Sequence, residues 1–309
     1  MKLAVSTPAY GETVYAPYVR SMLRLQRRLL ERRDQMTHAM VSFAEVSEAR
    51  NFLLTHWYEK TDASHILFVD ADMAFEPELV LAMLALKKPV VGVIYPRRQI
   101  DLGRFAESSK RGEPAAKALA NAQDFIVRPL KARAPKQAKG FLEVAGCGAG
   151  ILLIERGCIA TMLRKLPALA DKDAPKRTPL ARGLSQMIRA FDPVTEQGTR
   201  LSEDFSFCHR WHVQGGGEIW ANTDAAVTHL GLYRYGARYA DASRGPRVAA
   251  VTTPIALSRG GLKAVPGAAL TVKEGKGPKQ VRGKLALPPK AAKGKPGAKK
   301  NGGGKPARK

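Results

Sequence analysis

The chain has 309 residues, of which 45% are hydrophobic and 7% aromatic, which suffices for one large α/β domain or two small ones and excludes a wholly disordered chain. It carries 51 Lys and Arg residues against 27 Asp and Glu, and the resulting net charge of +24 favours anionic partners such as nucleotides, nucleic acid or a phospholipid surface. No stretch approaches the roughly 20 apolar residues of a membrane span, and the first apolar run is too short for a signal peptide.

The cysteine count argues against two further classes of protein. Cys147, Cys158 and Cys208 make an odd number and contain no CxxC spacing, which disfavours both a disulfide framework and a cysteine zinc cluster. We therefore expect a reducing, cytoplasmic location.

Short apolar strands alternate with amphipathic helices over the first ninety-odd residues. This alternation predicts a β-α-β-α-β-α-β order, and hence an α/β fold with a mostly parallel sheet flanked by helices. The predicted strands cover residues 2–6, 39–43, 66–69 and 90–94, and the predicted helices cover 17–33, begin near Ser47, and cover 77–86.

The second half continues the alternation with interruptions. Predicted strands cover 141–145, 151–154, 218–221 and 225–228, and predicted helices cover 156–166 and 203–213. Residues 104–139 and 167–200 are predicted insertions, because the first is rich in Ala, Lys and Arg with no clear apolar face and the second is a polar loop rich in Lys, Asp and Pro. The globular domain is predicted to span 1–258. A disordered Lys-, Pro-, Gly- and Ala-rich tail is predicted over 259–309, since such a composition cannot bury enough apolar surface to offset its ordering entropy.

Two carboxylates, Asp70 and Asp72, follow the predicted strand that ends at Val69. Ligands of open α/β sheets bind outside the carboxyl ends of the strands, so both acids are delivered where a ligand would lie. Two oxygen donors at that point suit Mg²⁺ or Mn²⁺ that also holds a diphosphate. A solvated acidic turn that caps the next helix is the alternative.

Further polar residues stand at the starts of helices and the ends of strands. Arg50 lies one helix upstream and can meet a phosphate in bidentate fashion, or it is a plain helix-surface arginine. Glu203 and Asp204 open a helix, where the dipole stabilises an ionised carboxylate, or they serve only as caps. His229 ends a predicted strand and offers either an imidazole ligand or a structural side chain.

In this order and spacing the chain resembles the GT-A fold glycosyltransferases, and in particular the family 2-like enzymes. The resemblance spans roughly residues 2 to 236, and the stretches that carry it are KLAVSTPAYG, SEARN, FVDADM, AGCGAGILLIERGCI, SEDFSFCHRW and THLG. It implies a metal-dependent, inverting glycosyltransferase that uses a nucleotide-diphosphate sugar, with UDP-sugars favoured.

The resemblance also implies roles for individual residues. Asp72 would be the main ligand of a Mn²⁺ or Mg²⁺ ion, with His229 as a further ligand and Asp70 shared between the metal and the ribose or sugar. Asp204 would be the catalytic base, and Glu203 the second choice. The implied donor-binding residues are Pro8 and Tyr10 beside the nucleobase, Arg50 and Asn51 near the diphosphate, and Gly148 close to the donor sugar.

Several alternatives stay open at this point. The Tyr95-Pro96-Arg97-Arg98 run faces either a phosphate-bearing ligand or only solvent. A sugar nucleotidyltransferase would share the nucleotide-binding architecture, and a non-catalytic nucleic-acid-binding protein would explain the basic tail. The tail could hold the enzyme on nucleic acid or at an anionic membrane surface. The hydroxyl acceptor is accordingly a glycan, a lipid-linked sugar or a modified DNA base.

Overall fold

A computed structural model describes residues 1–131, 133–177 and 179–232, and its centre is an eight-stranded sheet. Residues 233–258 of the predicted domain and the predicted tail at 259–309 lie outside the described residues. The strands of the central sheet are β1 (Lys2–Pro8), β2 (Gln35–Val41), β3 (His65–Val69), β4 (Val90–Val93), β5 (Gln137–Ala138), β6 (Phe141–Val144), β7 (Ile151–Glu155) and β8 (Ile219–Asn222).

The strand order across this sheet is β2-β1-β3-β7-β4-β8-β6-β5. β2, β1 and β3 pair in parallel, and β4 pairs in parallel with β8. β7 lies antiparallel between β3 and β4, and β6 lies antiparallel between β8 and β5. All strands except β6 and β7 therefore run in one direction, which confirms the predicted α/β class and the mostly parallel sheet.

Helices cover both faces of the sheet, as predicted. Along β3, Ile66 and Phe68 point into one core while Leu67 and Val69 point into the other, because successive side chains of a strand alternate between faces. The first core is closed by the second, sixth and eighth helices and the other by the first and third. The helices are α1 (Ala16–Glu31), α2 (Val46–Lys60), α3 (Pro77–Ala85), α4 (Leu102–Lys110), α5 (Ala115–Asn121), α6 (Arg156–Lys165), α7 (Ala174–Arg177) and α8 (Glu203–His209).

The pattern of burial explains why these segments are helical. In α1, Tyr18, Met22, Leu25 and Leu29 recur every three or four residues and are buried, while the arginines between them face solvent. Pro17 stands in the first turn, where its missing N–H costs no hydrogen bond.

Three predicted elements have different bounds in the structure. β2 begins at Gln35, four residues before the predicted strand, because it is an edge strand whose polar residues face solvent and give little apolar signal. α8 ends at His209 and continues as a wider π turn over Arg210–Gln214. The strand predicted at 225–228 is reduced to Thr228–His229, which pairs outside the central sheet with Met73–Ala74.

The two predicted insertions contain ordered local structure. Residues 104–139 include most of α4, all of α5 and a short strand, Val127–Arg128, that pairs with Gly146–Cys147. Residues 167–200 include α7 and short paired strands. In the described part of the chain the three cysteines are buried and form no disulfide, and no helix has both the length and the apolar character needed to cross a bilayer.

The Glu218 ion-pair cluster at the β8 end of the sheet gives a test of the fold. Lys136 and Lys88 hydrogen-bond the Glu218 carboxylate, the latter at 2.9 Å, and these bonds lower its pKa from 4.5 to about 2. A lowered pKa stabilises the folded state above pH 4.5, and this contribution is lost as the pH falls toward about 2. Because the pair is partly exposed, we expect Glu218→Gln to cost about 1 kcal/mol at pH 7.

Urea denaturation between pH 7 and pH 3 measures this effect. The difference between wild type and Glu218→Gln should shrink below pH 4.5. Glu107→Gln, on the exposed side of α4, is the matched control and should show no such pH dependence. A constant difference across the range would contradict the assigned ion pairs.

Candidate functional site

The two acids of the FVDADM stretch lie at the carboxyl end of β3, as the sequence predicts. The Asp70 backbone N–H donates to the Gly150 carbonyl at 2.9 Å, and the Met73 N–H donates to the Asp70 carbonyl at 3.0 Å. These bonds fix a tight turn after the strand. The turn presents Asp70 and Asp72 side by side at the edge of the sheet.

Arg50 is buried beneath this turn. Its side chain is only 2% exposed, and its Nη2 atom donates to both Asp70 carboxylate oxygens at 2.9 and 3.0 Å. Nη1 donates to the Ala149 carbonyl at 3.3 Å. Nε lies 3.5 Å from a Glu203 carboxylate oxygen and has no hydrogen-bond partner, although it is buried. The guanidinium thus joins α2, the end of β3, the loop before β7 and the start of α8.

Arg50 and Asn51 therefore occupy supporting positions rather than positions facing an open cleft. The Asn51 side chain is fully buried; its amide N–H donates to Asp192 at 2.6 Å, and its carbonyl oxygen accepts from the Phe191 N–H at 2.8 Å. The structure thus does not bring either side chain to a surface that a diphosphate could reach directly. Both are instead positioned to fix the residues around them.

Asp72 meets a histidine and an arginine from distant parts of the chain. The Arg98 Nη1 atom donates to Asp72 Oδ2 at 2.9 Å, and His229 Nε2 lies 3.5 Å from the same oxygen. The Leu230 N–H donates to the Asp72 carbonyl at 2.8 Å, so the strand pairing of Thr228–His229 with Met73–Ala74 holds the imidazole beside the acid.

The ring of His229 is oriented by a second hydrogen bond. Its Nδ1 atom lies 2.9 Å from the Pro96 carbonyl oxygen, and a carbonyl accepts only from N–H. Nε2 therefore faces Asp72, which is the arrangement typical of histidines that bind metal through Nε2. Burial tends to lower the pKa of His229, but the bonds to Asp72 and Pro96 outweigh it and raise the pKa.

These residues fit a divalent cation that is completed by other ligands. A carboxylate and an imidazole on one side suit Mn²⁺ or Mg²⁺ that takes its remaining ligands from phosphates and water. Among the described residues no three His, Cys, Asp or Glu side chains form a ready-made metal site, so Asp70 is not brought into one ligand group with Asp72 and His229. Asp70 is already engaged by Arg50.

A cleft of about 520 Å³ opens beside the acid pair, between the ends of β1 and β3 and the start of α2. Tyr10 is 77% exposed there, which leaves an aromatic face open at the mouth. The structure thus brings Pro8 and Tyr10 together with both acids in the lining of one cleft. The cleft also contains Tyr15 and Phe43, for which the sequence predicts no role, and Arg98, which belongs to the basic run predicted to face either a phosphate-bearing ligand or solvent.

Gly148 lies in a buried passage against Tyr95. A Cβ atom at Gly148 would lie 2.3 Å from the Tyr95 hydroxyl oxygen and 3.0 Å from Ile126, so no larger residue fits without a shift. The Gly150 N–H donates to the same hydroxyl at 2.9 Å. Burial, with Asp70 nearby, raises the pKa of Tyr95, so the hydroxyl stays protonated at neutral pH. The two glycines therefore leave the space that the Tyr95 ring occupies.

Glu203 and Asp204 stand in the first turn of α8, and a Glu203 carboxylate oxygen lies 3.5 Å from the Nε atom of Arg50. Ser202 hydrogen-bonds the Asp204 carboxylate, and the Phe205 N–H donates to it at 2.7 Å. Burial raises the pKa of Asp204, and the neighbouring charge of Glu203 raises it further. A carboxylate with a raised pKa is a better proton acceptor than an exposed one, which favours Asp204 as a base.

The Arg50–Asp70 pair predicts a measurable coupling. Arg50→Met leaves the Asp70 carboxylate without its partner and should cost about 3 kcal/mol of unfolding free energy. The double variant Arg50→Met/Asp70→Asn should be more stable than the sum of the single effects predicts, because no unpaired charge remains. Urea denaturation of the four proteins gives the coupling.

The exposed pair Arg27 and Glu31 on α1 supplies a matched control cycle, for which we expect no measurable coupling. Additive effects of Arg50→Met and Asp70→Asn would show that the buried pair contributes nothing specific.

Comparison with protein-family models finds no match, and comparison with curated protein sequences finds none either. Comparison with solved structures finds chains with a similar backbone trace. A protein from STIV is 15% identical, with a TM-score of 0.39, over 74% of this chain and 86% of the other. A Drosophila beta-1,4-galactosyltransferase 7 in complex with manganese, UDP-Gal and xylobiose is 11% identical, with a TM-score of 0.38, over 75% and 71%. TarS of S. aureus with UDP-GlcNAc is 11% identical, with a TM-score of 0.36, over 79% and 62%. Similarity at this level concerns the backbone trace and does not extend to any reaction that these proteins catalyse.

Proposed function

We propose that the protein is a metal-dependent, inverting glycosyltransferase that moves a sugar from a nucleotide-diphosphate sugar, with a UDP-sugar favoured, to a hydroxyl acceptor. The observation that carries the proposal is the meeting of Asp72 and the Nε2 atom of His229 at the edge of an aromatic-walled cleft. The aromatic side chains offer a flat surface for a nucleobase, and Asp72 and His229 offer oxygen and nitrogen ligands for a cation that also binds phosphates.

The cleft accommodates the nucleotide in this proposal. The exposed ring of Tyr10 and the partly buried Phe43 line this cleft and would contact the nucleobase, and Asp70, which also lines it, would contact the ribose or sugar. Asp72 and His229 would hold the Mn²⁺ or Mg²⁺ ion. When bound, such an ion supplies Lewis-acid stabilisation of the departing diphosphate.

The proton of the acceptor hydroxyl goes to Asp204. As the acceptor oxygen forms its bond to the anomeric carbon, the bond from that carbon to the diphosphate oxygen breaks, and the Asp204 carboxylate takes the hydroxyl proton. Attack from the face opposite the leaving group inverts the anomeric centre. Arg50 hydrogen-bonds Asp70 and lies beside Glu203, so it fixes the position of Asp70 relative to the start of α8.

The tail at 259–309 supports a separate, accessory part of the proposal. It holds fifteen of the 51 Lys and Arg residues and a single acidic residue, Glu274, so it would attract nucleic acid or an anionic membrane surface. Such attraction would keep a cytoplasmic enzyme near an acceptor that is a lipid-linked sugar or a modified DNA base. A soluble glycan acceptor would need no such tail.

Nucleotide binding tests the donor site. We expect UDP to bind in the presence of Mn²⁺, and Asp72→Asn to weaken that binding by about 100-fold, because the main anionic ligand is lost. Isothermal titration calorimetry with UDP and GDP, with and without Mn²⁺, measures this. Asp173→Asn, an exposed acid before α7, is the matched control and should bind as wild type does. If folded wild-type protein binds neither nucleotide, the proposed function is wrong.

A second experiment separates the base from the donor site. Asp204→Asn should retain metal-dependent UDP binding but lower transfer of sugar from a UDP-sugar panel by about 10²- to 10⁴-fold, since it cannot accept the proton. Glu203→Gln should have the smaller effect. If both variants lose transfer activity equally, or if Asp204→Asn transfers sugar as wild type does, Asp204 is not the base.

A further inference from the structure

A second cavity, of about 620 Å³, adjoins the cleft that contains Tyr10, Tyr15 and Phe43, which we call the aromatic cleft. It follows the end of β4 and the start of α4, and we call it the arginine pocket. Its walls include Arg97, Arg98, Arg104, Gln123 and His229. Arg98 borders both this pocket and the aromatic cleft. Asp72 lines the aromatic cleft, His229 lines the arginine pocket, and the two side chains lie 3.5 Å apart, so ligands in the two cavities would approach each other there.

Backbone hydrogen bonds join the two segments that form this pocket. The Arg97 N–H donates to the Asp124 carbonyl at 2.7 Å, and the Asp101 N–H donates to the Ala122 carbonyl at 2.8 Å. The Ile126 N–H donates to the Tyr95 carbonyl at 3.0 Å. The backbone from 95 to 101 is thereby tied to the segment 122–126, so the pocket is formed before any ligand arrives.

The charges in the pocket are unevenly paired. Arg104 binds both acids of the pocket, Asp101 at 3.2 Å and Asp124 at 2.8 Å. Arg97 is exposed and has no acidic partner within 4 Å among the described residues. The side chain of Arg98 is 52% exposed, and its acidic partner is Asp72. Arg97 is thus an exposed cation that is available to a ligand, in the wall of a pocket whose two acids are both paired with Arg104.

We infer that the arginine pocket binds an anionic group, a phosphate or a carboxylate, of the acceptor substrate. The inference rests on the proposed function, and it names the acceptor class that the proposal leaves open. Guanidinium groups pair with phosphate and carboxylate in bidentate fashion, which favours an anionic ligand over a neutral sugar.

The position of the pocket assigns it to the acceptor rather than to the donor. The aromatic cleft lies over β1, β3 and the start of α2, whereas the arginine pocket lies beyond β4, separated from β3 by β7. A donor diphosphate at Asp72 could contact Arg98, which borders both cavities. Arg97 lines only the arginine pocket and therefore distinguishes the two ligands.

Calorimetric titration with glycerol 3-phosphate as the probe tests the inference on the full chain. We expect Arg97→Gln to weaken binding of the probe by about tenfold and to leave UDP binding in Mn²⁺ unchanged. Arg20→Gln, an exposed arginine on α1, is the matched control and should bind the probe as wild type does. The probe should also bind in the presence of saturating UDP and Mn²⁺, because the two cavities are separate.

Other outcomes would overturn the inference. If Arg97→Gln and Arg20→Gln bind the probe equally well, the anion is attracted by the overall charge of the chain and not by the pocket. If UDP displaces the probe, the pocket belongs to the donor diphosphate. If wild type does not bind UDP, the proposed function is wrong. The pocket then has no acceptor role, even if binding of the probe still depends on Arg97.

Discussion

The buried guanidinium of Arg50 is the constraint on which the candidate site depends. A charge that is 2% exposed must be paired, and Arg50 finds its partners in Asp70, after β3, and in the Ala149 carbonyl, before β7. Its Nε atom faces Glu203, at the start of α8, without reaching hydrogen-bonding distance. Three segments far apart in sequence are thereby held at one edge of the sheet.

The second acid of the pair is free of this constraint and is held by weaker, more exposed contacts. Asp72 bonds to the half-exposed Arg98 and faces the Nε2 atom of His229, whose ring is oriented by the Pro96 carbonyl. The two acids thus have different roles. Asp70 is a fixed part of the scaffold, whereas Asp72 can exchange Arg98 for another cation at little cost in buried charge.

Much of the fold could be predicted from sequence because apolar periodicity records burial directly, and the strands around Ile66 and Ile151 are buried on both faces. The candidate site could be predicted only in part. The acid pair and Tyr10 follow their strands immediately, so topology alone places them. Arg50 was different: the SEARN stretch resembles a diphosphate contact, but whether a helical arginine faces a ligand or a buried acid depends on packing between distant segments. The pairing of Arg98 with Asp72 has no local signal at all.

The central claim is that Asp72 and His229 hold a divalent cation together with a nucleotide diphosphate. The most direct test is a crystal structure with UDP and Mn²⁺, with anomalous scattering recorded at the manganese edge. The account predicts an anomalous peak in contact with Asp72 Oδ2 and His229 Nε2, the uracil against Tyr10, and Arg98 turned away from Asp72. An intact Arg98–Asp72 pair, with the nucleotide bound elsewhere, would contradict it.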